Sequence, residues 1–171
     1  AYKADLNKLP EVELVGYRKD IPIYPSAGIP GTIISLGDGT PAVERPTTGF
    51  YISLVPGKYA AITDTGFGTY ETYKRLKESG AIPSTEKLII LYSHCHLDHI
   101  GDLLLFLVNE NPTIVAAPVV MEQLRVYFEQ HLKGERGEDF EKLKNYTKNL
   151  VEFSDESFDK PVYLWLSDVV K

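Results

Sequence analysis

Residues 91 to 102 read LYSHCHLDHIGD, and three of the chain's four histidines, His94, His96 and His99, fall there inside six positions together with Asp98. Imidazole nitrogen and carboxylate oxygen are donors that suit zinc, and they serve iron and manganese as well. His94 and His96 are two positions apart. In an extended segment side chains at i and i+2 point the same way, so both rings can converge on one ion. Asp98 and His99 follow after the chain bends and can aim at a second ion nearby. A pair of divalent ions lowers the pKa of a shared water, so that hydroxide exists near neutral pH, and neutralises charge building on a substrate oxygen. In that chemistry Asp98 is the candidate catalytic residue, ligating one ion and orienting the hydroxide.

The elements around this stretch must present it. KLIILYS, residues 87–93, is a nearly continuous apolar run, the pattern of a strand covered on both faces, and it ends at the histidines. DLLLFLV follows as a buried helix, TIVAA as a second buried strand, and VVMEQLRVYFEQHL as a helix with Val120, Leu124 and Tyr127 on its apolar stripe. Upstream, GTIISLG at 31–37 reads as a short strand and residues 49–66 as a hairpin turning at PGK. Residues 69–79 read as a helix, with Tyr73 and Leu76 inward and Gly80 just past its end. Downstream, 138–150 reads as a more exposed helix and 161–170 as a strand. Strands come first and helix and strand then alternate, which makes this an α/β chain.

HCHLDH fits the pattern H-x-H-x-D-H and resembles the signature of the metallo-β-lactamase superfamily. AAITDTG, residues 60–66, is similar to the family's strand ending in D-T-G, and the apolar strand before the signature and the helix after it match as well. The resemblance covers roughly residues 31 to 120. It implies a metal-dependent hydrolase on an αββα sandwich that uses two divalent ions, zinc first, with iron and manganese as alternatives. It implies that His94 and His96 serve the first metal and Asp98 and His99 the second. Asp64 would support the metal-binding loop from behind the ligands, and Gly66 would permit the tight turn after it. The segment SLGDGTPAVERPTTGFYI is similar to the opening of the ribonuclease Z and phosphodiesterase branch.

A complete site of that kind takes a third histidine, a bridging aspartate and a last histidine from later in the chain. After His99 only His131 remains, near the end of an amphipathic helix, where it reads as a solvated helix-end residue. Asp168 follows an expected strand and is the other carboxylate considered, for the bridging position. The expectation is therefore an incomplete sandwich, its N-terminal βα half. Residues 1–171 form one truncated domain, with 1–30 an extension, 31–127 the motif-bearing core and 128–160 a mostly helical insertion or connection. The inner sheet face would then be covered by the missing half or by another chain, with a homo-oligomer expected. Cys95 lies between two candidate ligands and reads as a small buried residue, and Asp102 as a cap of the helix after the motif.

The totals agree with a single soluble domain: 171 residues, 43% hydrophobic and 25% charged. No run of about 18 apolar residues exists, so no membrane span is expected. One cysteine excludes an internal disulfide framework and favours a reducing, cytoplasmic setting. A net charge of −6 argues against a broadly electropositive nucleic-acid binder. The expected substrate is a small molecule or a phosphodiester, and an ester, a lactone or a related bond is the target. The alternative is a non-catalytic binding or assembly module that retains half of a metal site.

Overall fold

In the computed structural model the described residues are 29–37, 39, 46–133, 141, 143 and 145–152. The expected strand at 161–170, Asp168, and most of the N-terminal extension lie outside them. Within them six strands form one sheet in the order β1-β2-β3-β4-β5-β6. They are β1 (Ile33–Gly37), β2 (Gly49–Val55), β3 (Tyr59–Thr63), β4 (Lys87–Leu91), β5 (Thr113–Ala116) and β6 (Leu150–Glu152). The first three are antiparallel, joined between β2 and β3 by the expected PGK turn, where the Lys58 N–H donates to the Val55 carbonyl at 2.9 Å. From β3 to β6 every pairing is parallel, so each connection must cross over. The crossovers carry α1 (Thr69–Glu78), then α2 (Leu97–Ile100) with α3 (Leu103–Glu110), then α4 (Pro118–Leu132).

The alternation along each strand sorts the two faces. Leu36, Tyr51, Ala60, Ile62, Leu88, Ile90 and Ile114 point to one side and pack with Tyr73, Leu76, Leu103, Phe106, Met121, Leu124 and Phe128 of the helices. Tyr70 meets Phe106 edge-on at 5.0 Å between ring centroids, which ties α1 to α3. On the other side Ile89 and Val115 form a small cluster with Leu91 and Val151, and no helix residue among the described ones belongs to it. Ile89 and Val115 are nonetheless buried, which agrees with the doubly covered strand expected at 87–93. Toward the β1–β2 edge Ile33, Phe50 and Leu54 are exposed, Ile33 to 64%.

Three expectations need correction. Tyr127 is only half-buried; the buried row of α4 runs through Val120, Leu124 and Phe128 at intervals of four, with Met121 beside it. The expected helix at 138–150 does not reach its end: Tyr146–Asn149 is a 3-10 turn and Leu150 opens β6. There, pairing Leu150 with Ile114 and Val151 with Val115 satisfies the open edge of β5. Finally, the Asp102 carboxylate does not cap the helix that follows it. Its Oδ2 accepts the Tyr70 N–H at 3.0 Å and so caps α1, whose own N-cap residue is Gly68 and has no side chain to offer.

Burial raises the Asp102 carboxyl above its ordinary value, against the pull of the Tyr70 and Gly68 N–H groups. A raised pKa in the folded state means that the fold disfavours the ionised form. That penalty is absent below the unfolded value of about 3.9 and grows as pH rises through it. Asp102→Asn keeps an acceptor oxygen for Tyr70 and is expected to equal or exceed the parent in stability at neutral pH, with the difference vanishing below about pH 4. Asp102→Ala loses the cap and is expected to cost about 1 kcal/mol at either pH. Urea unfolding at the two pH values measures both.

Candidate metal centre

The parallel register of β3 and β4 builds the site. Thr63 pairs with Leu91, so both strands end at one level and the residues after them emerge side by side. The Asp64 N–H donates to the Leu91 carbonyl at 3.0 Å, and at φ 56° Asp64 turns into the left-handed region that aspartate tolerates better than most residues. Its carboxylate is then aimed across at the loop that follows β4. In open α/β sheets ligands bind outside these carboxyl ends of the strands.

Asp64 is 7% exposed, and its carboxylate is well supplied with donors. Oδ1 accepts the Ser93 N–H at 3.0 Å, the Ser93 hydroxyl lies 2.9 Å from Oδ2, and His99 Nδ1 lies 2.9 Å from Oδ2. A carboxylate beside Nδ1 holds the proton there, so His99 carries Nδ1–H and its Nε2 lone pair stays free to bind a metal. His94 is governed by the same group through one intermediary. Its Nδ1 stands 2.9 Å from Ser93 Oγ. With the serine proton donated to Asp64, the serine oxygen accepts Nδ1–H from His94, and a second Nε2 is left free. One buried carboxylate thus sets the tautomers of two imidazoles.

Backbone bonds lock the two loops together. The Thr65 N–H donates to the His99 carbonyl at 2.7 Å, and the Asp102 N–H donates to the Thr65 carbonyl at 2.8 Å. Thr47 Oγ1 donates to the Asp98 carbonyl at 2.8 Å. Gly66 sits where these segments cross, and a Cβ there would collide with the Thr47 side chain, the Asp98 carbonyl and the Thr48 nitrogen. The expectation that Gly66 serves a tight turn is therefore corrected: it serves close approach, and the residue with positive φ is Asp64. Thr65 lies in the D-T-G pattern but carried no role of its own there, and neither Ser93 nor Thr47 is singled out by the sequence. The adjacency of Ser93 to His94 was the signal available for Ser93, and the D-T-G pattern the signal for Thr65.

The ligand candidates do gather. The His94 ring lies 4.6 Å from that of His96 and 3.9 Å from that of His99, centroid to centroid. Asp98 Oδ2 stands 3.6 Å from His99 Nε2. Two donors about 2.0–2.2 Å from one tetrahedral ion lie about 3.4 Å apart, so this pair fits a shared metal in kind and in spacing. Two imidazoles on one such ion have centroids about 5 Å apart, so the His94 ring must move off its neighbours to admit an ion. Among the described residues no group of three or more His, Cys, Asp or Glu side chains is arranged so that it could hold a metal.

Cys95 is half-buried, less than expected, and lines the same groove as its flanking histidines. Its thiol reaches the Val120 carbonyl at 3.5 Å, and burial pushes its pKa up to about 11, which keeps it a neutral thiol and not a thiolate. His131 is not brought into the cluster by any bond: its Nδ1 lies 3.0 Å from the Tyr127 carbonyl and its ring rests on Tyr127. Beside the histidines a groove of about 410 Å³ runs from His94, Cys95 and His96 to α4.

A family model described as the metallo-beta-lactamase superfamily matches residues 45–165. No curated protein matches the chain. Members of that superfamily are generally metal-dependent hydrolases, and the ions are commonly zinc.

Zinc titration against a chromogenic chelator tests the role of the carboxylate. Asp64→Asn can no longer accept from both Ser93 and His99 and is expected to weaken zinc binding about 10–100-fold. Ser93→Ala, which frees only His94, is expected to weaken it about tenfold or less. His131→Ala is expected to change nothing; equal affinities for all three variants and the parent would contradict the tautomer account.

Proposed function

The chain belongs to the metallo-beta-lactamase superfamily, and from that premise we propose that it is a hydrolase that works with two divalent ions, zinc foremost and iron or manganese as alternatives. His94 and His96 bind the first ion and Asp98 and His99 the second. The observation that carries this reading is the Asp64 network, which places Nδ1 of His99 against the buried carboxylate and Nδ1 of His94 against Ser93, an arrangement that favours a free Nε2 on each ring. A structural histidine pair has no need of that arrangement.

The protein's own groups divide the work. Asp64 and Ser93 hold the imidazoles in the tautomer that donates a lone pair. Asp98, half-buried beside His99, accepts a hydrogen bond from the attacking water and orients its oxygen. When bound, the ions supply Lewis acidity and lower the pKa of that water. Fold and signature alone do not select among ester, lactone and phosphodiester substrates. Further protein, whether the rest of a larger domain or another copy of the chain, covers the apolar sheet edge at Ile33, Phe50 and Leu54 in this reading.

A second reading has its own support: no group of three or more ligands stands ready among the described residues, which suits a non-catalytic binding or assembly module. Metal analysis and a hydrolysis panel separate the two. The hydrolase reading expects about two equivalents of divalent metal per chain. It also expects that the double substitution His94→Ala and His96→Ala removes the metal and lowers activity about a hundredfold or more. Metal below about a tenth of an equivalent in both proteins, with no hydrolysis of any substrate, would favour the module.

A further inference from the structure

The groove beside the histidines has a chemistry of its own. At one end it meets His94 and His96; along α4 it is walled by Gln123, Val126, Tyr127 and Gln130, with the buried Ile100 also lining it. Of the described residues that line it, none is lysine, arginine, aspartate or glutamate. Arg125, its neighbour on α4, stands 3.5 Å from Glu122 and does not line the groove. Beyond what bound ions supply, a phosphodiester gains from Arg or Lys around its charge, and this lining supplies neither. A polyanion would also be repelled by a chain of net charge −6. The lining offers instead a valine, an isoleucine and a tyrosine ring, with two neutral amides able to donate to a carbonyl or hydroxyl oxygen. Its volume is that of a small-molecule site.

We propose that this groove binds the apolar arm of a neutral carboxylic ester or lactone, with the carbonyl placed toward His94 and His96. For its reaction the proposal rests on the hydrolase reading; for its binding it does not. Hydrolysis adds the water oxygen to the acyl carbon and breaks the acyl C–O bond. One water proton goes to the departing alcohol oxygen, and the other leaves as the carboxylic acid ionises. Val126 is the residue that decides specificity: it is 46% exposed on α4, so its side chain faces the groove without holding up the core.

The full chain is titrated with a series of neutral amides from acetamide to octanamide, which bind without being esters, and with bis(p-nitrophenyl) phosphate, each followed by NMR shifts at Val126 and Tyr127. Affinity is expected to rise roughly two- to fourfold for each methylene added. Val126→Glu is expected to abolish that rise. The phosphodiester is expected to leave both signals in place. The p-nitrophenyl esters of the same acyl chains are then assayed for turnover. Chain-length-dependent amide binding with no turnover of any of these esters or of bis(p-nitrophenyl) phosphate would uphold the groove assignment and sink the hydrolase reading. Ester turnover with amide affinity independent of chain length, or shifts at Val126 caused by the phosphodiester alone, would overturn the groove assignment.

Discussion

A carboxylate taken out of water is costly unless donors replace the water, and the Asp64 carboxylate is placed where donors are plentiful. The amide and hydroxyl of Ser93 and the imidazole of His99 converge on its two oxygens. Hydrogen bonds to a charged group are worth about 1.5–3 kcal/mol each, enough in number to offset a partial desolvation. The same bonds fix which nitrogen of each ring carries a proton, so a requirement of stability and a requirement of metal binding are met by one arrangement. It depends in turn on the level ends of β3 and β4, because a slip in their pairing would carry Asp64 away from Ser93.

Topology explains why everything with chemistry lies on one edge. The strands from β3 to β6 are parallel, and the helices that join them pack on one face. Each return helix therefore leaves the loops that begin it at the carboxyl ends of the strands. The D-T-G loop follows β3 and the histidine loop follows β4. After β5 comes α4, which begins at Pro118 and supplies the far wall of the groove. The Tyr70, Tyr73 and Phe106 rings and the Asp102 cap bind α1 to the start of α3, so the histidine loop is held at both ends.

Much of this was legible in the sequence because it is written locally. The hairpin, the buried strand at 87–93, the helix ending before Gly80 and the histidine stretch all follow from period, turn residues or donor type. What was not legible depends on partners distant in the chain. Asp102 caps a helix 32 residues upstream of it rather than its own, which no local pattern encodes. Gly66 answers to Thr47 and Asp98 and not to its own φ. The end of the expected helix at 138–150 gave way to strand because an open β5 edge was waiting for Leu150 and Val151. Ser93 looked like an ordinary polar residue at a strand end, and only the approach of Asp64 gives it a role.

The most direct test is the protonation pattern of the rings themselves, read by long-range proton–nitrogen NMR on the metal-stripped chain at about pH 8, above the ordinary imidazole pKa. His94 and His99 should both carry their proton on Nδ1 and leave Nε2 bare. If either ring carries it on Nε2, the buried carboxylate does not prepare these histidines for a metal, and the account built on it is contradicted.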